Sequence, residues 1–148
     1  MEKNNNILLP EFERLLNEGH MVEFTPQGVS MRPFIEGGRD SVLLRKCKKL
    51  RLGHIVLAKI GEQYVLHRVV KFEGNKIILQ GDGNLEGQEV CRGKDIVGYV
   101  VRLKGKGGVR KRVLKARWWY YTPVWVKKIV LKVYRAIIKW QQYSENED

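Results

Sequence analysis

The sequence predicts a mainly β fold with a short N-terminal helix and a C-terminal amphipathic helix. Between residues 21 and 103, short runs rich in Val, Ile and Leu alternate with turns rich in Gly, Asp and Asn. Such a succession is typical of a β-rich core. On either side of this region, in residues 7–19 and 117–148, apolar residues recur with helical spacing, which predicts a helix at each end.

The N-terminal helix is predicted over residues 7–19. Pro10 suits its first turn, because a helix leaves the N–H groups of that turn unpaired and Pro has none, and Gly19 suits its C-terminal end. The apolar face of this helix is formed by Phe12, Leu15 and Leu16.

The strands are predicted to follow one another through the middle of the chain. They lie at residues 21–25, 41–45, 52–59, 62–70, 76–80 and 95–103. A three-residue connection at 73–75 contains Gly and is typical of a hairpin. The Gly-rich loop at 80–87 is not a phosphate-binding loop, because neither a Lys-Ser/Thr pair nor a helical pattern follows it.

Positive charge is concentrated in the C-terminal third of the chain. The formal net charge is +12, and residues 1–103 hold 16 Lys and Arg against 13 acidic residues, whereas residues 104–148 hold 12 against 3. We interpret residues 1–103 as one domain, 104–116 as a basic Gly/Lys linker and 117–148 as an aromatic and basic helical tail. Such a tail suits an anionic partner, either membrane lipid or nucleic acid.

The tail has the pattern of a helix that lies in a membrane interface. Its predicted apolar face is formed by Val126, Ile129, Val130, Val133, Ile137 and Ile138, and its basic face by Lys127, Lys128, Lys132, Arg135 and Lys139. Trp and Tyr residues accompany both faces. We expect residues 117–140 to bind an anionic membrane surface. The alternative is a helix that packs on the core with its Lys side chains in water.

No cofactor, metal site or disulfide framework is predicted. The two cysteines, Cys47 and Cys91, do not combine with His residues at ligand spacing. The N-terminus lacks the pattern of a signal peptide, and no run of 18 apolar residues occurs. We therefore expect a cytoplasmic or peripheral membrane protein without a spanning helix.

Ser30 is the candidate nucleophile of the chain. It lies between Gly28, which allows close backbone approach, and Pro33, which fixes φ. A Ser hydroxyl needs a base to become nucleophilic. His67 is the candidate base, and it lies in the alternating run 64–70 on a predicted strand.

The order of four motifs resembles the signal peptidase I and LexA-like serine peptidase superfamily, specifically its Ser–His branch of archaeal and endoplasmic-reticulum signal peptidases. The motifs are Ser-Met-x-Pro from Ser30, His-Arg-Val-Val from His67, Gly-Asp-x-Asn from Gly81 and Asp-Ile-Val-Gly from Asp95. The resemblance covers about residues 24–103. It implies a LexA/signal peptidase-like fold for residues 1–103, and an endopeptidase that cleaves a leader or signal segment of a precursor at a small-residue site. Signal peptidases usually carry a membrane-spanning helix before the Ser motif, and the residues before Ser30 are too polar for us to expect one there.

The third catalytic residue is left open by the sequence. The Ser–His branch has an Asp a few residues after Gly-Asp-x-Asn, and this chain has none there. Asp82 is the first candidate to orient the imidazole of His67, Glu86 is the second, and a Ser–His dyad is the third possibility. The backbone N–H of Ser30, together with a group at Gly28, is the candidate oxyanion donor.

A binding function is the alternative to catalysis. Residues 104–139 hold 12 Lys and Arg and no acidic residue, interleaved with Trp and Tyr. Such a segment can follow a nucleic-acid backbone and stack on bases. The chain would then be a catalytically inactive β-rich module whose tail binds nucleic acid or an anionic membrane.

Overall fold

The fold is a curled antiparallel sheet with a helix before it and two helices after it. The computed structural model of the chain describes residues 2–147. Within them the helices are α1 (Glu2–Asn17), α2 (Arg117–Tyr121) and α3 (Val124–Asn146). The strands are β1 (Val22–Phe24), β2 (Ser41–Arg45), β3 (Ile55–Ile60), β4 (Gln63–Glu73), β5 (Lys76–Gln80), β6 (Glu89–Cys91), β7 (Ile96–Gly105) and β8 (Gly108–Val109). The predicted mainly β architecture, with a helix at each end, is confirmed.

The strand order across the sheet is β1-β2-β7-β3-β4-β5-β6, and β8 pairs with β7 as a hairpin. All pairs are antiparallel. The register shifts between Leu43 and Leu44, between Leu57 and Ala58, and between Val69 and Lys71. Such irregularities bend a strand and increase its twist, which curls the sheet.

Both faces of the central strands are buried, and β3 shows why. Its residues Ile55 and Leu57 belong to a core that also contains Leu16 of α1, whereas Val56 and Ala58 belong to a second core on the other face. Successive side chains of a strand point to opposite faces. A strand that is buried on both faces needs apolar side chains at successive positions, and residues 55–58 provide them.

The structure differs from the sequence prediction in the start of α1, in residues 104–116 and in two short strands. Helix α1 begins at Glu2, so that Pro10 lies inside the helix, where it removes one backbone donor, and not in the first turn. The residues predicted as a linker, 104–116, include the end of β7, all of β8 and a 3-10 helix at Arg112–Lys115. Strands β6 and β8 were not predicted, because three- and two-residue strands are too short to show a periodic pattern.

Helix α3 packs one face against the loop that follows β1. This core face is formed by Lys127, Val130, Leu131, Tyr134 and Ile138. A second face, the apolar stripe, stays exposed by 48–70% and is formed by Trp125, Ile129, Val133, Ile137 and Trp140. The predicted single apolar face is thus divided between the core and the surface.

Lys127 lies on the core face and not on the predicted basic face. Its ammonium donates to the carbonyl of Tyr120 at 3.2 Å and lies 5.8 Å from the ring centroids of Trp119 and Tyr120. These partners replace water around the charge. Burial nevertheless lowers the pKa of Lys127.

Within residues 2–147, no helix is long and apolar enough to cross a membrane.

Candidate active site

Ser30 lies on a compact turn between β1 and β2. The N–H of Arg32 donates to the carbonyl of Val29 at 3.1 Å, and the N–H of Ile35 donates to the carbonyl of Met31 at 2.9 Å. Met31 and Ile35 are buried in the core while Ser30 is exposed. The apolar neighbours therefore hold the turn in place and leave the hydroxyl at the surface.

His67 lies on β4 and joins Ser30 to a carboxylate. Its Nε2 is 3.1 Å from Ser30 Oγ, and its Nδ1 is 2.8 Å from Glu89 Oε2. Glu89 comes from β6, and β5 lies between β4 and β6 in the sheet. The Ser30 turn and two strands of the sheet thus bring the three side chains into one hydrogen-bonded row.

The partner of each ring nitrogen of His67 decides its proton arrangement. The Glu89 carboxylate accepts only, so Nδ1 carries the hydrogen and donates it to Glu89. Nε2 then has a free lone pair and accepts the hydroxyl hydrogen of Ser30. This is the arrangement that a general base needs to remove a proton from a Ser.

Gly81 makes room for this contact. A Cβ at Gly81 would lie 2.5 Å from the carbonyl oxygen of Ser30 and 3.0 Å from His67 Nε2. Two residues later, the N–H of Gly83 donates to the carbonyl oxygen of Ser30 at 2.8 Å. The Gly-Asp-Gly-Asn loop therefore holds the Ser30 turn against the imidazole, and the missing side chain of Gly81 permits the close approach.

Asp82, the first candidate for the third catalytic residue, forms an ion pair with Arg68 and not with His67. Both of its carboxylate oxygens accept hydrogen bonds from Arg68 at 2.8 Å, and both side chains are at most 3% exposed. Burial raises the pKa of the Asp82 carboxyl, and the Arg68 guanidinium acts in the opposite direction. Because a buried guanidinium requires a counter-charge, Asp82 neutralises Arg68 and does not orient His67. Glu86, the second candidate, is exposed.

Arg68 connects this loop to the C-terminal segment. Its guanidinium also donates to the carbonyls of Gly53 and Val113, each at 2.9 Å. The indole N–H of Trp119 donates to the carbonyl of Asp82 at 2.7 Å. The residue after the candidate base is thus the centre of a buried polar network that joins β4, the Asp82 loop and α2.

Sequence reasoning missed Glu89. Its partnership with His67 depends on β6, a three-residue strand that was not predicted. One signal was present: Glu89 lies two residues before the buried Cys91. Residues two apart in a strand share a face. The carboxylate therefore points to the side of the sheet on which Cys91 shares a core with Val69 of β4, the strand that carries His67.

A small cavity of about 150 Å³ adjoins Ser30 and His67. Its walls include Pro26, Met31, Ile35, Tyr64 and Leu66. Gly28 and Gly37 form part of its edge, and a Cβ at Gly37 would overlap the carbonyl oxygen of Gly28. Within residues 2–147 the N–H of Ser30 has no acceptor, so it is available to an oxyanion.

No cation site accompanies the row of side chains. In the described part of the chain, no group of three or more His, Cys, Asp or Glu side chains is arranged to hold a metal ion. The row itself offers a hydroxyl, an imidazole and a carboxylate.

Neither protein-family models nor curated proteins provide a match for this chain. The chain matches no protein-family model, and no curated protein is significantly similar to it.

Proposed function

We propose that the chain is a serine endopeptidase of the LexA/signal peptidase-like kind, in which Ser30 is the nucleophile, His67 the base and Glu89 the orienting carboxylate. The observation that carries the proposal is the continuous row Ser30 Oγ–His67 Nε2 at 3.1 Å and His67 Nδ1–Glu89 Oε2 at 2.8 Å. The order of the sequence motifs supports the same class.

The proposed reaction has two halves. Ser30 Oγ attacks a peptide carbonyl carbon while His67 Nε2 takes the hydroxyl proton, and Glu89 stabilises the imidazolium that forms. The backbone N–H of Ser30 donates to the developing oxyanion. His67 gives its proton to the leaving amine, and an ester to Ser30 remains. Water, activated by His67, then hydrolyses the ester and restores the hydroxyl.

The proposed substrate is the leader or signal segment of a precursor protein or peptide. The resemblance implies cleavage at small residues. The cavity of about 150 Å³ beside Ser30 is the proposed place for the side chain next to the scissile bond; because a space of that size also holds a ring such as benzene, the preference for small residues rests on the resemblance alone. The cavity walls of Met31, Ile35 and Leu66 favour an apolar side chain.

The proposed site of action is an anionic membrane surface. The apolar stripe of α3 leaves two Trp and three aliphatic side chains in contact with water. Trp118 and Tyr121 of α2 are also exposed, by 62% and 70%. An exposed apolar face with Trp residues and adjacent Lys is typical of a helix that lies in the headgroup region.

Peptide cleavage tests the proposed function. The folded protein is mixed with a peptide library that contains Ala-x-Ala-like sites, in the presence of anionic vesicles, and products are identified by mass spectrometry. We expect cleavage by the wild type and none by Ser30→Ala or His67→Ala. Lys76→Ala, on the exposed end of β5, is the matched control and should cleave as the wild type does.

Two outcomes contradict the proposal. Cleavage that persists in Ser30→Ala identifies a contaminating peptidase. No cleavage by folded wild type across the library favours the alternative, a catalytically inactive β-rich module whose tail binds nucleic acid or anionic membrane.

A further inference from the structure

The turn that carries Ser30 borders a second recess, on the side that faces α3. This basic cleft, of about 480 Å³, is bounded by Val29 and Leu85 on one side and by α3 on the other. Val29 directly precedes Ser30, and Gly83, which also borders the cleft, binds the carbonyl of Ser30. The basic cleft and the small cavity have no lining residue in common. A peptide with its scissile bond at Ser30 therefore has two separate recesses beside it.

The α3 wall of the basic cleft carries three cations. We call Lys128, Lys132 and Arg135 the basic face of α3; they are spaced four and three residues apart and so lie along one side of the helix. Among the side chains that the structure describes, none of the three has an ion-pair partner. Like charges at this spacing destabilise a helix, so the cluster has an electrostatic cost that an anionic ligand would remove.

Arg32 differs from the three cations of α3 because its charge is paired with a carboxylate. It also borders the cleft, but its guanidinium donates two hydrogen bonds of 2.8 Å to Glu36 and forms an ion pair with it. Its charge is therefore compensated inside the protein. The uncompensated charge of the cleft comes from the basic face of α3 alone.

The three faces of α3 divide its circumference. At about 100° of rotation per residue, the core face, the apolar stripe and the basic face each occupy roughly a third of the helix. The apolar stripe, which is suited to lipid, points away from the basic cleft. The basic face instead closes a cleft whose opposite wall is the Ser30 turn. The cations thus line the recess next to the Ser30 turn, and the surface proposed to meet the membrane is the neighbouring sector of the helix.

We propose that the basic cleft binds the substrate segment on one side of the scissile bond and selects acidic side chains there. This inference rests on the proposed peptidase function. Leu85 and Leu131, on opposite walls of the cleft, supply apolar surface, and the basic face supplies the charge. Val29, next to Ser30 in the chain, lines the basic cleft, so we place the selected acidic residues two to four positions from the bond. The small cavity holds the side chain on the other side. The substrate class is therefore a precursor with a small residue at the cut and acidic, partly apolar residues to one side.

Matched peptides test this inference. The best-cleaved library peptide is synthesised with acidic residues at two to four positions from the bond, on each side in turn, together with its Gln/Asn and Lys analogues. We expect kcat/KM to fall about two- to fivefold for each acidic residue neutralised on the cleft side, and the loss to shrink at high salt. Neutralisation on the other side should have no effect.

Charge reversal makes the test specific to the basic cleft. Lys128→Glu with Lys132→Glu should reverse the preference, so that the Lys analogue becomes the better substrate. The control is Lys48→Glu with Lys76→Glu, which makes the same change in net charge at exposed positions away from α3 and should keep the acidic preference. All four lysines are exposed, so the fold is retained, and thermal melting verifies this.

The outcomes separate this inference from the proposed function. Cleavage without any acidic preference overturns the inference and leaves the peptidase standing. An unchanged preference after charge reversal, with lost binding to phosphatidylcholine vesicles that contain phosphatidylglycerol, assigns the cations to lipid and also overturns it. No cleavage at all contradicts the peptidase, and the inference then falls with it.

Discussion

At the scale of single residues, two carboxylates near His67 have different partners and therefore different roles. Glu89 is 25% exposed and accepts from the imidazole, whereas Asp82 is 3% exposed and accepts twice from Arg68. Removing one partner of a buried ion pair leaves the other charge uncompensated, which is costly. Asp82 should therefore determine stability and Glu89 turnover.

Asp82→Asn is predicted to destabilise the fold. The substitution leaves the Arg68 guanidinium buried without its counter-charge, which costs roughly 3–5 kcal/mol of unfolding free energy. Urea denaturation measures the difference. Glu73→Gln, which removes an exposed partner of Lys71, is the control and should leave the midpoint unchanged. A midpoint for Asp82→Asn equal to that of the wild type contradicts the assignment.

The order of the motifs, and the Ser–His peptidases that this order resembles, predicted Ser30 and His67 as partners. Glu89 has no such motif. Its contact with the imidazole arises only when β4, β5 and β6 align, with Val69 opposite Leu79 and Leu79 opposite Glu89. A register set by three strands is a tertiary property, and a single sequence does not contain it locally.

At the scale of elements, α3 is tied to the turn that carries Ser30. Tyr134 on α3 donates its hydroxyl to Glu36 at 3.0 Å, and Glu36 also accepts from Arg32. Burial, followed by this hydrogen bond, raises the pKa of Tyr134 to about 12. The neutral phenol is therefore the form that holds α3 in place.

The raised pKa predicts a loss of stability in alkali. The Tyr side chain ionises near pH 10 in the unfolded chain and at about pH 12 in the folded one. The contribution of Tyr134 is therefore complete below pH 10 and is lost as the pH rises from 10 to 12. Urea denaturation of the wild type and Tyr134→Phe should show a difference that shrinks across this window.

Comparison of the two proteins at each pH cancels the titration of Lys residues, which both share. Tyr143→Phe, at a position 66% exposed, is the control and should follow the wild type throughout. A constant difference between the wild type and Tyr134→Phe from pH 9 to 12 contradicts the assigned role.

The sequence predicted the existence of α3 but not the division of its faces. Val130 and Ile138 pack inward, while Ile129, Val133 and Ile137 stay exposed. All five occupy one broad apolar arc in the sequence pattern. The boundary within that arc is set by Phe34 and the Ser30 turn, which lie about a hundred residues earlier in the chain.

At the scale of the whole molecule, the surfaces proposed for lipid and substrate lie on one helix. The apolar stripe and the basic face of α3 are neighbouring sectors, and the core face holds both at a fixed orientation to Ser30. A membrane-bound precursor would thus reach the site from the side on which α3 lies.

Introducing charge into the apolar stripe is predicted to weaken membrane binding. Ile129→Asp with Val133→Asp replaces two exposed apolar side chains, each worth about 1.5 kcal/mol or more when buried, so vesicle affinity should fall at least about tenfold. Co-sedimentation with phosphatidylcholine–phosphatidylglycerol vesicles measures it. Phe72→Asp with Val109→Asp, which are also exposed, is the control, and equal losses in both variants contradict the assignment.

Ser30, His67 and Glu89 are proposed to form one hydrolytic unit. To test this most directly, kcat is measured for Glu89→Gln and for Glu86→Gln on a peptide from the library that the wild type cleaves. Both substitutions remove one negative charge within four residues of each other, but only Glu89 contacts the imidazole. We expect kcat to fall roughly a thousandfold or more in Glu89→Gln, with an unchanged melting temperature. Glu86→Gln should keep the kcat of the wild type. Equal turnover in the two variants would contradict the proposed unit.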